Sequence, residues 1–177
     1  APTPVSINMA NDHICNIACT NCRTELYCPE EGEREKIDGA LERLLPFANR
    51  TKALSMNGGG EFLANPSFIK FLEKLRPVHE DFCLSFETNG VLFDEAHWQR
   101  FSHLGDYRLE ATVTVNSIRR ETYRYLSGGF DHLEQVLNNL RFLSRLRREN
   151  KLNRLAVTIV VQECNFWEVP EYINTFA

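Results

Sequence analysis

Cys15, Cys19 and Cys22 place three thiols within eight residues, in the spacing C-x3-C-x2-C. Thiols this close together, in a chain whose other cysteines are scattered, read as metal or cluster ligands in a reducing compartment rather than as disulfide staples. Three thiolates can hold three irons of a [4Fe–4S] cluster, which normally takes four ligands, so one iron would stay open to another molecule. Zinc is the competitor: a closed structural site needs four ligands, and Cys28 or His13 could complete one. Zinc modules more often show paired CxxC knuckles, whereas this chain has one such pair and an offset cysteine. The spacing therefore leans toward the cluster and leaves zinc open. Cys83 and Cys164 lie alone among apolar residues and read as core thiols.

A second run with chemical potential is Gly58-Gly59-Gly60-Glu61. Glycines let a ligand approach the backbone closely, and a carboxylate beside them could accept hydrogen bonds from a cationic amine. Taken alone it is also an ordinary flexible turn between a strand and a helix. Thr88-Asn89-Gly90 forms a third polar turn, and Asn116, Arg124, Gln162 and Asn165 are further polar residues in later turns.

These residues need a frame, and the apolar pattern predicts one. Val5 to Ala10 alternates as a first strand, Ala53–Met56 is a second, and Phe82–Phe86 a third. Leu109–Val115 alternates as a fourth, and Leu155–Val161 is apolar and β-branched, as a strand covered on both faces should be. Between them run helical stripes. One includes Leu41 to Ala48, which Pro46 should shorten or kink; another opens at Asn65-Pro66; a third is N-capped by Asp94. Ile118–Leu126, the amphipathic stretch from Asp131 to about Arg148, and Phe166–Phe176 complete the set. Asn11 to about Asp38 reads as one long functional loop.

Strands alternating with helices predict right-handed crossovers and a parallel sheet. About five βα units are too few to close a (β/α)8 barrel. The expected fold is α/β: a partial, TIM-like (β/α)6 open barrel with its C-terminal part missing. In such folds sites gather at the carboxyl ends of the strands, and the cysteine loop, the glycine–glutamate run and Thr88-Asn89-Gly90 follow successive strands.

Composition narrows the function classes. The formal net charge of -4 gives no reason to expect nucleic-acid binding. The arginines at 141, 145, 147 and 148 read as the solvated face of a helix. No apolar run is long enough to span a bilayer, so a cytoplasmic protein is the default expectation. The sequence begins at Ala1 and stops at Ala177 straight after a helical pattern, which reads as one excised or truncated domain over 1–177.

Together, C-x3-C-x2-C after the first strand, GGE after the second and TNG after the third resemble the radical S-adenosylmethionine (radical SAM) superfamily, from Ser6 to about Ile173. Thr122-Tyr123-Arg124, Ser127 to Asp131, and the stretches 160–165 and 168–170 resemble its SPASM/twitch-like branch. The resemblance implies a [4Fe–4S] cluster on Cys15, Cys19 and Cys22, with SAM on the open iron. Glu61, with the backbone of Gly59 and Gly60, would bind the SAM amine, and Arg124 its carboxylate. Thr114 and Asn116 would lie near the ribose, Thr88 and Asn89 would line the cavity, and Val160 to Gln162 would lie by the adenine. It further implies reductive cleavage of SAM to a 5′-deoxyadenosyl radical, a reductant such as flavodoxin or ferredoxin, and a peptide or small-molecule substrate, for instance a sugar. In this superfamily an aromatic residue usually precedes the third cysteine; here it is Asn21. A zinc or iron–sulfur module that transfers electrons or scaffolds a partner, without cleaving SAM, is the alternative left by the residues alone.

Overall fold

The structure is a computed structural model that describes residues 4–9 and 13–177. Five parallel strands form one sheet in sequential order: β1 Ser6–Met9, β2 Ala53–Met56, β3 Cys83–Thr88, β4 Arg108–Thr114 and β5 Arg154–Thr158. Each strand pairs only with its neighbours in sequence, so the sheet is an open, partial barrel. Six helices connect and follow the strands: α1 Glu31–Ala48, α2 Pro66–Lys74, α3 Glu95–Phe101, α4 Arg120–Leu126, α5 Leu133–Arg148 and α6 Val169–Phe176.

One face of the sheet is apolar and covered. In register across it lie Leu54, Leu84 and Leu109, then Met56, Phe86 and Ala111, all buried. Each helix contributes at least one side chain to this single core. Its centre is aromatic: the Phe86 ring stacks on Phe62 at 5.2 Å and meets Phe93 edge-on at 5.5 Å. The helix starts follow from local chemistry. Asn65 Oδ1 accepts from Ser67 N–H in front of Pro66, and Asp94 Oδ1 accepts from His97 N–H.

Three expectations shift. Helix α1 starts at Glu31, inside the stretch read as loop to Asp38, because Glu30 and Glu33 form a reciprocal capping box. Its buried residues are only Leu41 and Ala48, so the first turns carry no apolar stripe. Pro46 falls in the last turn and the helix ends at Ala48. Strand β5 is shorter than expected, ending at Thr158, and none of its residues is fully buried, so it is not covered on both faces. Ala10 and Asn11, at the end of the expected first strand and the start of the loop, lie outside the described residues.

Truncation of Phe86 to alanine should remove the ring that ties Phe62, Phe93 and Phe101 together. The expected loss is about 3–5 kcal/mol in urea unfolding, since a fully buried ring leaves a cavity among its aromatic neighbours.

Candidate cofactor site

The turns after β1, β2, β3 and β4 meet in a cavity of ≈ 160 Å³ at the carboxyl ends of the strands. The cysteine loop supplies Cys15, Cys19 and Cys22, together with Ile17 and Arg23. The glycine run supplies Gly58 to Glu61, and β3 and its turn supply Glu87, Thr88 and Asn89. Thr114 and Asn116 come from β4 and its turn, Tyr123 from α4 and Ser127 from its C-cap.

Helix α4 docks the cysteine loop. Thr20 N–H donates to the Leu126 carbonyl at 3.0 Å, and Gly128 lies against the Ala18 carbonyl. Gly128 has φ +73°, and a Cβ there would run into that carbonyl. Within the loop, the N–H groups of Cys22 and Arg23 both donate to the Cys19 carbonyl, at 2.9 and 3.1 Å. Cys15 and Cys19 are half-buried and Cys22 is exposed; none is in a disulfide.

The thiols are held protonated in the apo protein. Burial pushes Cys19 up to about 11, with the neighbouring Cys15 and Cys22 adding to it, and burial raises Cys15 too. Without iron the loop therefore keeps those protons, and metal binding would release them. Among the described residues, no three Cys, His, Asp or Glu side chains converge as ligands of one ion do. His13 and Cys28, the residues that could close a zinc site, are exposed and off the cavity wall, and the His13 ring stands edge-on to Tyr27.

Glu61 joins three turns. It is buried, 2% exposed, and its carboxylate accepts from Thr88 Oγ1 at 2.9 and 3.0 Å and from Asn89 N–H at 2.7 Å. It also caps the short 3-10 turn Phe62–Ala64 through Leu63 N–H, and its own N–H donates to the Ile14 carbonyl at 2.8 Å. Burial raises its carboxyl to about 7, against the lowering effect of those donors. No cation faces it in an ion pair among the described residues. A buried carboxylate supplied with neutral donors, and lacking a counter-charge, fits an ammonium group of a bound amino acid.

Three of the residues assigned roles by resemblance stand off the wall. Arg124 is exposed on α4, and its Nε donates to the Gly129 carbonyl at 3.3 Å. Val160 is exposed, and its N–H donates to Asn116 Oδ1 at 3.2 Å. Gln162 N–H donates to Asn165 Oδ1 at 2.6 Å. Buried Asn165 then donates to the carbonyls of Asn116 and Val160, and so braces the wall from behind.

Arg23 was not singled out by motif. Its guanidinium donates to the His13 carbonyl at 2.6 Å and to the Gly59 carbonyl, and it reaches Cys22 Sγ at 3.6 Å. It thus clasps the cysteine loop to the glycine loop. A cation directly after the third cysteine was the only hint available. Tyr123 and Ser127 were also missed as wall residues, since a buried helix tyrosine ordinarily reads as core.

A profile of the radical SAM superfamily matches residues 13–174. The chain belongs to the radical SAM superfamily. Members of this superfamily are enzymes that use a [4Fe–4S] cluster and SAM. Among solved structures the chain is similar to Streptococcus suis SuiB bound to S-adenosylmethionine, at 13% identity over 98% of this chain and 47% of that one, with a TM-score of 0.46. It is also similar to BtrN in complex with AdoMet and 2-DOIA, at 19% identity over 86% of this chain and 56% of that one, with a TM-score of 0.45. The chain spans about half the length of these structures. No curated protein matches the sequence. No helix among the described residues is long and apolar enough to cross a membrane.

The raised carboxyl of Glu61 carries a pH signature. Its folded value near 7 lies above the ordinary 4.5, so its contribution favours the fold at low pH and is lost as pH rises through 7. Glu61→Gln copies the protonated form. The apo variant should match the wild type near pH 5 and exceed it above pH 7, by up to about 3 kcal/mol in denaturant unfolding.

Proposed function

We propose that this chain is the cofactor-binding core of a radical SAM enzyme, with Cys15, Cys19 and Cys22 as the ligands of three irons. The observation that carries the proposal is the meeting, in one cavity, of three thiols with a buried carboxylate that lacks a cation. When bound, the cluster and SAM supply a one-electron cleavage that yields methionine and a 5′-deoxyadenosyl radical able to take hydrogen from an unactivated C–H.

The chain's own part is positioning. Glu61 offers its charge to the SAM ammonium, and Thr88 and Asn89 fix the orientation of that carboxylate. Gly59 and Gly60 let the ligand approach the backbone. Thr114 and Asn116 form the wall on the ribose side, with Asn116 held by the Val160 N–H. Val160 and Gln162 support that wall from the adenine side through their backbone. Arg124 would reach the SAM carboxylate only by leaving the Gly129 carbonyl, so Arg23, already in the cavity, is the nearer cation.

The finer assignment is to the SPASM/twitch-like branch, supported by Thr122-Tyr123-Arg124 and the run Ser127–Asp131. The substrate is then a peptide or a small molecule, and a flavodoxin or ferredoxin supplies the electron. A cytoplasmic setting, where thiols stay reduced, belongs to the same proposal.

Anaerobic reconstitution tests it. The expected result is about four irons and four sulfides per chain, a SAM-induced change in the EPR signal, and 5′-deoxyadenosine formed only with dithionite. Cys19→Ser should retain less than about a tenth of the iron, because its thiolate is one of only three ligands. One bound zinc and no SAM cleavage would overturn the proposal.

A further inference from the structure

The cofactor cavity is rich in acidic and thiol groups and poor in positive ones. Three thiols, Glu61 and Glu87 line it, and Arg23 is the one cation among its described wall residues. A guanidinium on a protein surface ordinarily finds a carboxylate. Here the groups that act on it are sulfur. Partial burial works against the charge of Arg23, but the hydrogen bond to Cys22 and the proximity of Cys15, Cys22 and Cys19 prevail and hold its protonation above the ordinary arginine value.

The side chain is pinned from two sides. Nη1 donates to the His13 carbonyl at 2.6 Å. Nη2 donates to the Gly59 carbonyl and also reaches Cys22 Sγ at 3.6 Å. Two backbone carbonyls therefore fix the planar fork and leave an N–H against sulfur. Cys22 is the exposed thiol of the three, so this donor stands where water would otherwise be the sulfur's neighbour.

A clasp between two loops would account for the carbonyl contacts, but it would not call for a permanent charge. The cysteine loop already has three neutral ties. Glu61 N–H donates to the Ile14 carbonyl, Thr20 N–H to the Leu126 carbonyl, and Asn89 Nδ2 to Asn16 Oδ1. Asn89 Nδ2 also lies 3.8 Å from Cys15 Sγ, as an uncharged counterpart of the Arg23 contact. A charged donor on sulfur is the stronger of the two.

We propose that Arg23 is a positioning residue that sets the reduction potential of the cluster, by holding its charge and one N–H against the Cys22 sulfur. The proposal rests on the radical SAM reading in so far as the three thiols hold a [4Fe–4S] cluster, and it adds a role for a residue outside the motifs. Reduction brings in one electron, and so one more negative charge, with no bond made or broken. A fixed cation and a hydrogen bond to a ligand sulfur both favour that more negative state.

An EPR-monitored redox titration of the reconstituted protein tests it, with dithionite as the electron source and Arg23→Gln as the neutral variant. The reduction equilibrium should become at least about tenfold less favourable, a shift of about 59 mV to lower potential for one electron. Arg23→Lys keeps the charge without the fork and should recover more than about half of that shift. The three neutral ties let Arg23→Gln fold, which an unchanged thermal melt of the apo protein would verify. An unchanged potential overturns the proposal. So does loss of most of the iron from Arg23→Gln under an unchanged melt, since a clasp alone would give that. Dithionite-dependent 5′-deoxyadenosine from the wild type is scored separately. Its absence beside an Arg23-dependent potential leaves the role of Arg23 standing and removes the SAM reading, whereas zinc in place of iron overturns both.

Discussion

Everything at the strand ends hangs on one buried anion. Glu61 could have been satisfied by a lysine or arginine, as most buried carboxylates are, but the chain instead turns neutral donors from two neighbouring turns toward it. This arrangement orders the turn after β3 and ties the turn after β2 to the cysteine loop through the Ile14 carbonyl. Asn89 extends the tie by donating to Asn16 Oδ1 at 2.8 Å. The apo protein thus keeps a destabilising charge at its functional end, while the aromatic core below holds the strands that carry it.

The frame was largely legible because its signals are local. Period-two alternation in β4, asparagine before proline at α2 and aspartate ahead of α3 each act within a few residues. The start of α1 was not legible from apolar periodicity, since its first turns face solvent and the capping box alone marks them. The extent of β5 was misjudged for the opposite reason. Its apolar, β-branched run mimics a covered strand, while its residues are at most half-buried.

The site was legible where a motif fixes both residue type and turn position, as in the cysteine loop, the glycine–glutamate run and Thr88-Asn89. It was less so where a side chain's direction decides. Arg124 belongs to a helix that touches the cavity, yet it is Tyr123 and the C-cap residue Ser127 that line it. Asn21, which stands where an aromatic residue is usual, is exposed in the turn and off the cavity wall. The guanidinium of Arg23, two residues on, spans the cysteine and glycine loops instead.

The seating of the cysteine loop on α4 has a bearing on how the protein is made. Ala18 and Gly128, like Thr20 and Leu126, are more than a hundred residues apart in sequence, so this part of the loop's seat waits for the β4–α4 unit, after the ties to Gly59, Glu61 and Asn89. Up to that point in synthesis the three thiols lack the last of their supports and are more open to oxidation. A helix that contributes no thiol thus completes the seat of the three that do the loop's chemistry.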